Sequence, residues 1–273
     1  MPISDFHEFE HAGWEEDDVV AHYEREVASL TRQSTGPLLD AGRVAAGSRV
    51  LDVACGPGFS CAAAADRGAL VVGVDFSSAQ VAAARSHYPH VRFEVADASA
   101  LPFPDASFDA VVCGFGMLHF PDALAAAVEA RRVLVPGGRF AFTVWDQPER
   151  AVALGAVQAA IRAHGEAILG VPPGPDFFGL SDPRRSEQLL LDGGFHEPVV
   201  ERVAQVWSLA SAEHVVDTFQ RATVRMRALL QAQSAAQLGR IRAAVRESLA
   251  PYRRGDGHEL PMPALLTVGT KPA

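Results

Sequence analysis

Val50-Leu51-Asp52-Val53-Ala54-Cys55-Gly56-Pro57-Gly58 is the stretch that predicts how the rest of the chain is arranged. Its first four residues are apolar apart from Asp52, and a second apolar run begins at Val71. Short apolar runs bounded by glycine are typical of strands buried on both faces of a sheet. The two glycines and the alanines at 62–65 indicate a tight turn followed by a helix. A strand, a glycine turn and a helix N-terminus together form a ligand cradle at the carboxyl end of the strand.

The composition of the turn distinguishes two kinds of bound cofactor. A dinucleotide-binding turn has a third glycine three residues after the second one, whereas this chain has Cys61 at that place. Asp52 stands at the entrance of the turn, and a carboxylate suits a cationic ligand better than a pyrophosphate. The turn therefore favours a cationic ligand over a dinucleotide.

The same residues give the chain a resemblance to a known family. The turn resembles the glycine motif of the class I S-adenosylmethionine-dependent methyltransferases, in the subgroup of small-molecule enzymes similar to the ubiquinone/menaquinone-biosynthesis methyltransferases. That motif reads acidic-x-Gly-x-Gly-x-Gly. Here Ala54 takes the first glycine position, and Gly56 and Gly58 take the other two. The resemblance extends over roughly residues 49–146 and implies S-adenosyl-L-methionine as the cofactor.

An alternation of strands and helices continues from the turn towards the C-terminus. Five apolar runs predict strands, at 50–54, 69–74, 91–96, 108–114 and 139–145. Strands that alternate with helices in short right-handed units form a parallel, doubly wound α/β sheet. The resemblance implies a mostly parallel, seven-stranded, Rossmann-like methyltransferase fold, whose last two strands, 197–206 and 264–270, form a hairpin at one edge.

The segments outside this alternation are mostly helical. Residues 151–169 and 211–249 have helical composition, and in the resembled family N-terminal helices such as those of residues 1–47 fold over the cofactor and the acceptor. We predict a single domain, 1–273. In it, residues 1–47 form a helical lid, 48–146 the cofactor-binding core, and 147–273 the cap helices and the last two strands.

Three aspartates, Asp52, Asp75 and Asp97, mark three consecutive predicted strands. The Asp75 carboxylate can accept hydrogen bonds from both hydroxyls of a ribose, as in dinucleotide folds. Asp97, with the backbone N–H of Ala98, can bind the edge of an adenine, and Phe76 can stack on its ring. Singly, each aspartate could be a loop or cap residue. Their combination with the glycine turn favours a binding site.

The resemblance also implies contacts to the methionine end of the cofactor. Asp52 is expected to hold the glycine turn and to reach the methionine amino group. Gly114 and Phe115 follow the fourth strand, where family members contact the methionine portion. These residues complete the predicted cofactor site together with those of the turn, Ala54, Gly56 and Gly58.

His119 is the candidate catalytic residue, as a general base. It follows the fourth strand by five residues and precedes a helix that Asp122 is expected to cap, so it lies on a loop at the carboxyl end of the sheet. Imidazole can take up a proton near neutral pH, and many methyl acceptors must lose one. The alternative is a turn histidine bonded to the backbone, and the rival bases in the predicted lid are His7, His11 and His22.

Composition restricts the partners. The chain has 273 residues, a net charge of −9 and a single lysine, Lys271, so it lacks the basic surface that nucleic-acid binding requires. No apolar run reaches the length of a membrane span, and the acidic N-terminus does not resemble a secretory signal. The three cysteines form no CxxC pair, which predicts reduced thiols in a cytoplasmic protein and no metal site. The expected partner is a small-molecule acceptor, and the oligomeric state is left open.

Two other functions stay open at this point. An NAD(P)-dependent oxidoreductase is disfavoured by Cys61 and by the adenine position of Asp97. A non-catalytic module that binds an S-adenosyl ligand would keep the same turn. The sequence does not indicate whether O, N, C or S is methylated, although Phe177 and Phe178 suggest an apolar acceptor.

Overall fold

The computed structural model describes residues 5–166 and 171–273, and these form two compact units. The sheet unit comprises residues 31–145, 175–203 and 264–273. The helical unit comprises residues 5–30, 146–166, 171–174 and 204–263. Each unit is therefore built from segments that are distant in the chain.

A seven-stranded sheet forms the centre of the sheet unit. Its strands are β1 (Arg49–Val53), β2 (Leu70–Asp75), β3 (Arg92–Val95), β4 (Phe108–Gly114), β5 (Leu134–Trp145), β6 (His196–Val203) and β10 (Ala264–Thr270). The strand order is β3-β2-β1-β4-β5-β10-β6. The pairs among the first five strands are parallel, and β10 runs antiparallel to both β5 and β6. The predicted mostly parallel, seven-stranded sheet is therefore confirmed.

Both faces of this sheet are buried, which explains the continuous apolar runs of its central strands. Val50 and Val112 pack with Leu38 and Leu39 in one core cluster. Side chains alternate between the faces of a strand, and Val111, next to Val112, is also fully buried. The helices of this unit are α4 (Thr35–Ala41), α5 (Phe59–Asp66), α6 (Ser78–His87), α7 (Ala123–Val133) and α9 (Pro183–Asp192).

The helical unit contains the remaining α-helices and a second sheet. Its helices are α1 (Asp5–Trp14), α2 (Asp17–Glu26), α3 (Ala28–Thr31, whose last residue begins the sheet unit), α8 (Val152–His164), α10 (Glu213–Ala222), α11 (Arg225–Gln231) and α12 (Ala235–Leu249). The end of the predicted helix 151–169 lies outside the described residues. Within the described residues, no helix is long and apolar enough to cross a membrane.

The second sheet was not predicted from the sequence. It has three antiparallel strands, β7 (Val206–Leu209), β9 (Gly257–Pro261) and β8 (Arg253–Arg254), in the order β7-β9-β8. The predicted strand 197–206 instead ends at Val203, and β7 begins after an interruption at Gln205, whose Nε2 donates a hydrogen bond to the Leu30 carbonyl. The strands of this sheet are short, and pattern alone does not distinguish them from loops.

A buried ion pair connects distant segments within the helical unit. Arg225 Nε donates to Glu10 Oε1 at 2.6 Å, and both side chains are almost completely buried. The Arg225 guanidinium also lies 4.4 Å from the centre of the Phe6 ring. Removing either charged partner would leave the other charge buried without compensation, which typically costs about 3–5 kcal/mol. The pair therefore fixes α1 to α11.

Candidate functional site

The glycine turn after β1 adopts a left-handed backbone at three positions. The φ angles are +54° at Ala54, +51° at Gly56 and +88° at Gly58. A methyl group built on Gly58 would lie 2.8 Å from Phe93, so this glycine is required for packing as well as for backbone conformation. A methyl group on Gly56 would meet nothing closer than Gln80 Oε1, at 3.8 Å. The turn is therefore open beside Gly56, where a ligand can approach the backbone.

Asp75 connects the glycine turn to the loop after β2. Its Oδ2 accepts the Gly56 N–H at 2.9 Å, and its Oδ1 accepts the Ser77 N–H at 3.0 Å. The residue is only 5% exposed. Carboxylate oxygens are the type of acceptor that the hydroxyls of a ribose need. The structure thus gives Asp75 a positioning role that sequence reasoning had assigned to Asp52.

Asp52 lies beneath the turn and contacts the first turn of α5. The Cys61 thiol lies 3.2 Å from its Oδ2 and donates to it, and Asp52 is 1% exposed. Burial raises the pKa of the Asp52 carboxyl to about 7, and the nearby negative charge of Asp75 adds to the shift. The carboxyl group therefore keeps its proton to a higher pH than an ordinary aspartate does.

Asp52→Asn should change how the free energy of unfolding depends on pH. The folded protein holds this proton up to about pH 7, whereas an unfolded aspartate releases it near its ordinary pKa of 3.8. The folded state therefore binds more protons between these values, and Asp52 makes stability fall as pH rises through this range, by at most roughly 4 kcal/mol. Urea unfolding at pH 5, 6, 7 and 8 should show a growing advantage of the asparagine variant.

The exposed carboxylate of Asp97 provides the control for this measurement. Asp97→Asn removes one negative charge from the surface, so it controls for the change in net charge that Asp52→Asn also makes. Parallel curves for the wild type and Asp52→Asn would contradict the assignment to Asp52.

The end of β4 also has an unusual backbone conformation. Phe115 has a φ of +59°, its N–H is bonded to the carbonyl and hydroxyl of Thr143, and its ring centre lies 4.2 Å from that of Trp145. A methyl group on Gly116 would lie 2.6 Å from Ala54 Cβ, so β1 and β4 meet closely at this point. Left-handed residues other than glycine cost about 1–2 kcal/mol each, and such strain is concentrated at functional sites.

The other predicted cofactor residues lie at neighbouring strand ends. Asp75 pairs with Val95 in the register of β2 and β3, which places Asp97 two residues beyond the end of the pairing. Asp97 is exposed, and its Oδ1 accepts the Ser99 N–H and hydroxyl, both at 2.8 Å. The residues Phe76, Ala98 and Gly114 are half-buried. The structure brings Asp75, Gly56 and Ser77 into direct contact, and it records no bond between Asp97 and these three within the described chain.

His119 ends a short 3-10 turn, Met117–His119, after β4. Its N–H donates to the Gly116 carbonyl at 2.8 Å, and the residue is half-buried. The centre of its ring lies 6.4 Å from that of Phe177 in an edge-on arrangement, and Phe177 meets Phe178 at 5.1 Å in the same way. The imidazole therefore lies at an aromatic cluster on the carboxyl side of the sheet.

Two site residues were missed by the sequence reasoning. Residue 116 must be glycine because a side chain there would collide with the methyl group of Ala54, a contact that only the folded structure reveals. Gln80, in the first turn of α6, was not assigned to the site from the sequence, yet its side chain lies beside the glycine turn. Among the described residues, no group of three His, Cys, Asp or Glu side chains could hold a metal ion.

Comparison with known proteins places this site within a recognised segment. Residues 51–142 match the family model of a methyltransferase domain. The matched segment contains the glycine turn, Asp75, Asp97 and the end of β4. It also contains His119.

Curated relatives and solved structures agree with this match. The chain is 41% identical over 136 residues to the demethylmenaquinone methyltransferase of Beutenbergia cavernae. The aligned segment covers 48% of this chain and 57% of that protein. It is 35% identical over 170 residues to the 27-O-demethylrifamycin SV methyltransferase of Amycolatopsis mediterranei. This aligned segment covers 59% of this chain and 60% of that protein. The chain thus spans less than two thirds of the length of these relatives.

Two solved structures share the fold. Phosphoethanolamine N-methyltransferase 2 of Haemonchus contortus, in complex with S-adenosyl-L-methionine, matches with a TM-score of 0.58 and 21% identity over 100% of this chain and 61% of that one. The YcgJ protein of Bacillus subtilis matches with a TM-score of 0.57 and 22% identity over 88% and 98%. The predicted resemblance to class I methyltransferases and the predicted Rossmann-like fold are confirmed.

Proposed function

We propose that this chain is an S-adenosyl-L-methionine-dependent methyltransferase that acts on a small-molecule acceptor. The observation that carries the proposal is the open glycine turn at Gly56, which the Asp75 carboxylate holds at the carboxyl end of the parallel sheet. This is where open α/β sheets bind their ligands. The matched methyltransferase segment covers the whole turn.

The residues at this edge of the sheet fit the chemistry of the cofactor. We propose that Asp75 offers carboxylate oxygens to the ribose hydroxyls, and that the Asp52 carboxyl, bonded to the Cys61 thiol, acts on the cationic ligand from its buried position on β1. The remaining contacts that we propose are the adenine edge at Asp97 and Ala98, stacking on Phe76, the methionine portion at Gly114 and Phe115, and backbone approach at Ala54, Gly56 and Gly58. The bound cofactor would supply a methyl group on a sulfonium that is already a good leaving group.

The residues of this chain then have three tasks in the reaction. They align the acceptor with the methyl group, they exclude water, and they remove a proton where the acceptor carries one. Phe115 and Trp145 form a buried aromatic contact that suits the first two tasks. We propose that the third task belongs to His119, which lies at the neighbouring aromatic pair.

Ligand binding tests the proposal directly. We expect calorimetry to show binding of S-adenosylmethionine and S-adenosylhomocysteine that is tighter than binding of NAD or NADP. Binding of NAD without any binding of the S-adenosyl ligands would instead indicate an oxidoreductase. Binding of the S-adenosyl ligands without turnover of any acceptor would indicate a non-catalytic module.

The acceptor has to be identified by activity. The relatives are named for chemically different acceptors, a quinone precursor and a rifamycin, so they support no more than a small molecule. Labelled S-adenosylmethionine should be tested against phenols, amines, carbon acids and thiols. The proposal includes a cytoplasmic location, in agreement with three cysteines that form no disulfide.

The predicted N-terminal lid can be tested by hydrogen exchange. The predicted lid covers residues 1–47, and its part up to about residue 35 is polar and acidic, carries isolated aromatic residues and precedes the strand–helix alternation. Lids that close on a ligand exclude water from the reaction. Amide protection in this segment should rise when S-adenosylhomocysteine is added. Equal protection with and without the ligand would make it a static arm of the domain.

A further inference from the structure

Gln80 carries a buried acceptor that has no donor within the described chain. The residue lies in the first turn of α6 and is 4% exposed, and its Oε1 makes no hydrogen bond. A buried polar atom without a partner typically costs about 1–3 kcal/mol. Such atoms are rare in folded proteins, and each needs an explanation.

The sequence pattern alone would give this side chain a partner. Ser77-Ser78-Ala79-Gln80 fits a capping box, in which the glutamine side chain accepts the N–H of the first serine. Only half of the box forms: the Ser77 hydroxyl accepts the Gln80 N–H at 3.1 Å. The Ser77 N–H is already donated to Asp75 Oδ1. Asp75 therefore takes the place of the Gln80 side chain in the cap.

A second helix of the same chain shows the complete arrangement. Ser234 caps α12, its hydroxyl accepts the Gln237 N–H, and Gln237 Oε1 accepts the Ser234 N–H at 2.9 Å. No aspartate precedes Ser234 in the way that Asp75 precedes Ser77. The displaced acceptor is thus specific to the helix beside the glycine turn.

The displaced side chain lies where a ligand is expected. Its buried Oε1 would lie 3.8 Å from a methyl group built on Gly56, at the edge of the open turn. The Gly56 N–H is bound to Asp75 Oδ2, so the Asp75 carboxylate lies at the same place. A neutral acceptor and a carboxylate therefore both lie next to Gly56.

We propose that Gln80 is a cofactor-binding residue whose Oε1 accepts a hydrogen bond from a ribose hydroxyl of the S-adenosyl ligand, next to Asp75. This inference rests on the proposed function, because it assumes that an S-adenosyl ligand occupies the turn. It gives the unpartnered acceptor a donor in the bound state. It also explains why the side chain is polar at a buried position.

Gln80→Met separates this role from a structural one, because stability and affinity should change in opposite directions. Methionine has a similar length and removes the unpartnered acceptor, so the free protein should unfold at a higher urea concentration. The affinity for S-adenosylhomocysteine, measured by calorimetry, should fall roughly threefold to tenfold, as expected for one lost hydrogen bond. Gln80→Leu serves as a second apolar variant if the methionine variant does not fold.

Gln237→Met is the matched control in the complete capping box. It removes a satisfied acceptor, so the protein should lose stability, while its affinity for S-adenosylhomocysteine should equal that of the wild type.

The 2′-deoxy and 3′-deoxy analogues of S-adenosylhomocysteine identify which ribose hydroxyl is the donor. One of them should bind the wild type more weakly than the parent ligand does, and Gln80→Met should reduce this difference.

The outcomes distinguish this inference from the function on which it rests. Equal affinity of the wild type and Gln80→Met for S-adenosylhomocysteine would overturn the role of Gln80 and leave the methyltransferase proposal intact. A fall in both stability and affinity, with an unchanged preference between the parent ligand and its analogues, would make Gln80 a structural residue. A wild-type protein that binds no S-adenosyl ligand would overturn both proposals.

Discussion

His119→Ala should lower kcat by about 10²–10⁴-fold, the usual contribution of a general base, while the affinity for S-adenosylhomocysteine stays nearly constant. The imidazole follows β4 on the carboxyl side of the sheet and meets Phe177 edge-on, away from the contacts that hold the glycine turn. Its removal should therefore affect proton transfer from the acceptor and leave the cofactor residues in place. Steady-state kinetics with an acceptor that carries a weakly acidic O–H, N–H or C–H measures the effect.

His90→Ala is the control for this prediction, because His90 is an exposed histidine in the segment before β3. It should leave both kcat and ligand affinity unchanged. Full activity of His119→Ala would reduce His119 to a turn residue that holds the Gly116 carbonyl. Loss of cofactor binding in that variant would instead show that the histidine supports the fold of the site.

Gly56→Ala should weaken binding of S-adenosylhomocysteine by at least about tenfold, or 1.4 kcal/mol. The added methyl group would project into the open space beside the turn, where no protein atom lies closer than 3.8 Å. A ligand that approaches the backbone there would have to move away from Asp75. Calorimetry of the folded variant gives the loss of affinity.

Gly47→Ala separates this effect from backbone strain. Gly47 also has a positive φ, +81°, and a methyl group built on it would meet nothing within 4 Å. Both variants should therefore lose a similar free energy of unfolding, about 1–2 kcal/mol, but only Gly56→Ala should lose affinity. Equal affinity of the two variants would place the ligand elsewhere. Gly58→Ala is unsuitable here because its methyl group would also collide with Phe93.

The sequence predicts the parts of the fold that depend on burial patterns. The strand Phe108–Gly114 is found with its predicted bounds, because a long apolar run between a loop and a glycine leaves few alternatives. The helix cap at Asp122 also forms as predicted, since the carboxylate accepts the Ala125 N–H. These features depend on neighbours in the chain, which a sequence pattern records.

Features that depend on a choice between competing acceptors were not predictable in the same way. The Ser77–Gln80 capping box is incomplete because Asp75, two residues before the serine, takes the bond that the pattern assigns to Gln80. The Asp52 carboxyl was expected to hold the turn, but the bond to the turn N–H comes from Asp75. In both cases the choice between two nearby acceptors is made by tertiary geometry. The resemblance predicts which residues form the site, and the structure assigns the contacts of each one.

The ion pair between Glu10 and Arg225 has a consequence for the synthesis of the chain on the ribosome. The two residues are 215 positions apart, so at 5–20 residues per second Arg225 is made roughly 10 to 40 s after Glu10. During this interval the first helix has a carboxylate that must stay hydrated, and its apolar face has no partner from the later segments. Completion of the central sheet takes even longer. Its strand β10, which lies between β5 and β6, is the last of its strands to be translated. The sheet can therefore be completed only after Ala264–Thr270 has been synthesised, and until Arg225 is made the first helix lacks this native contact.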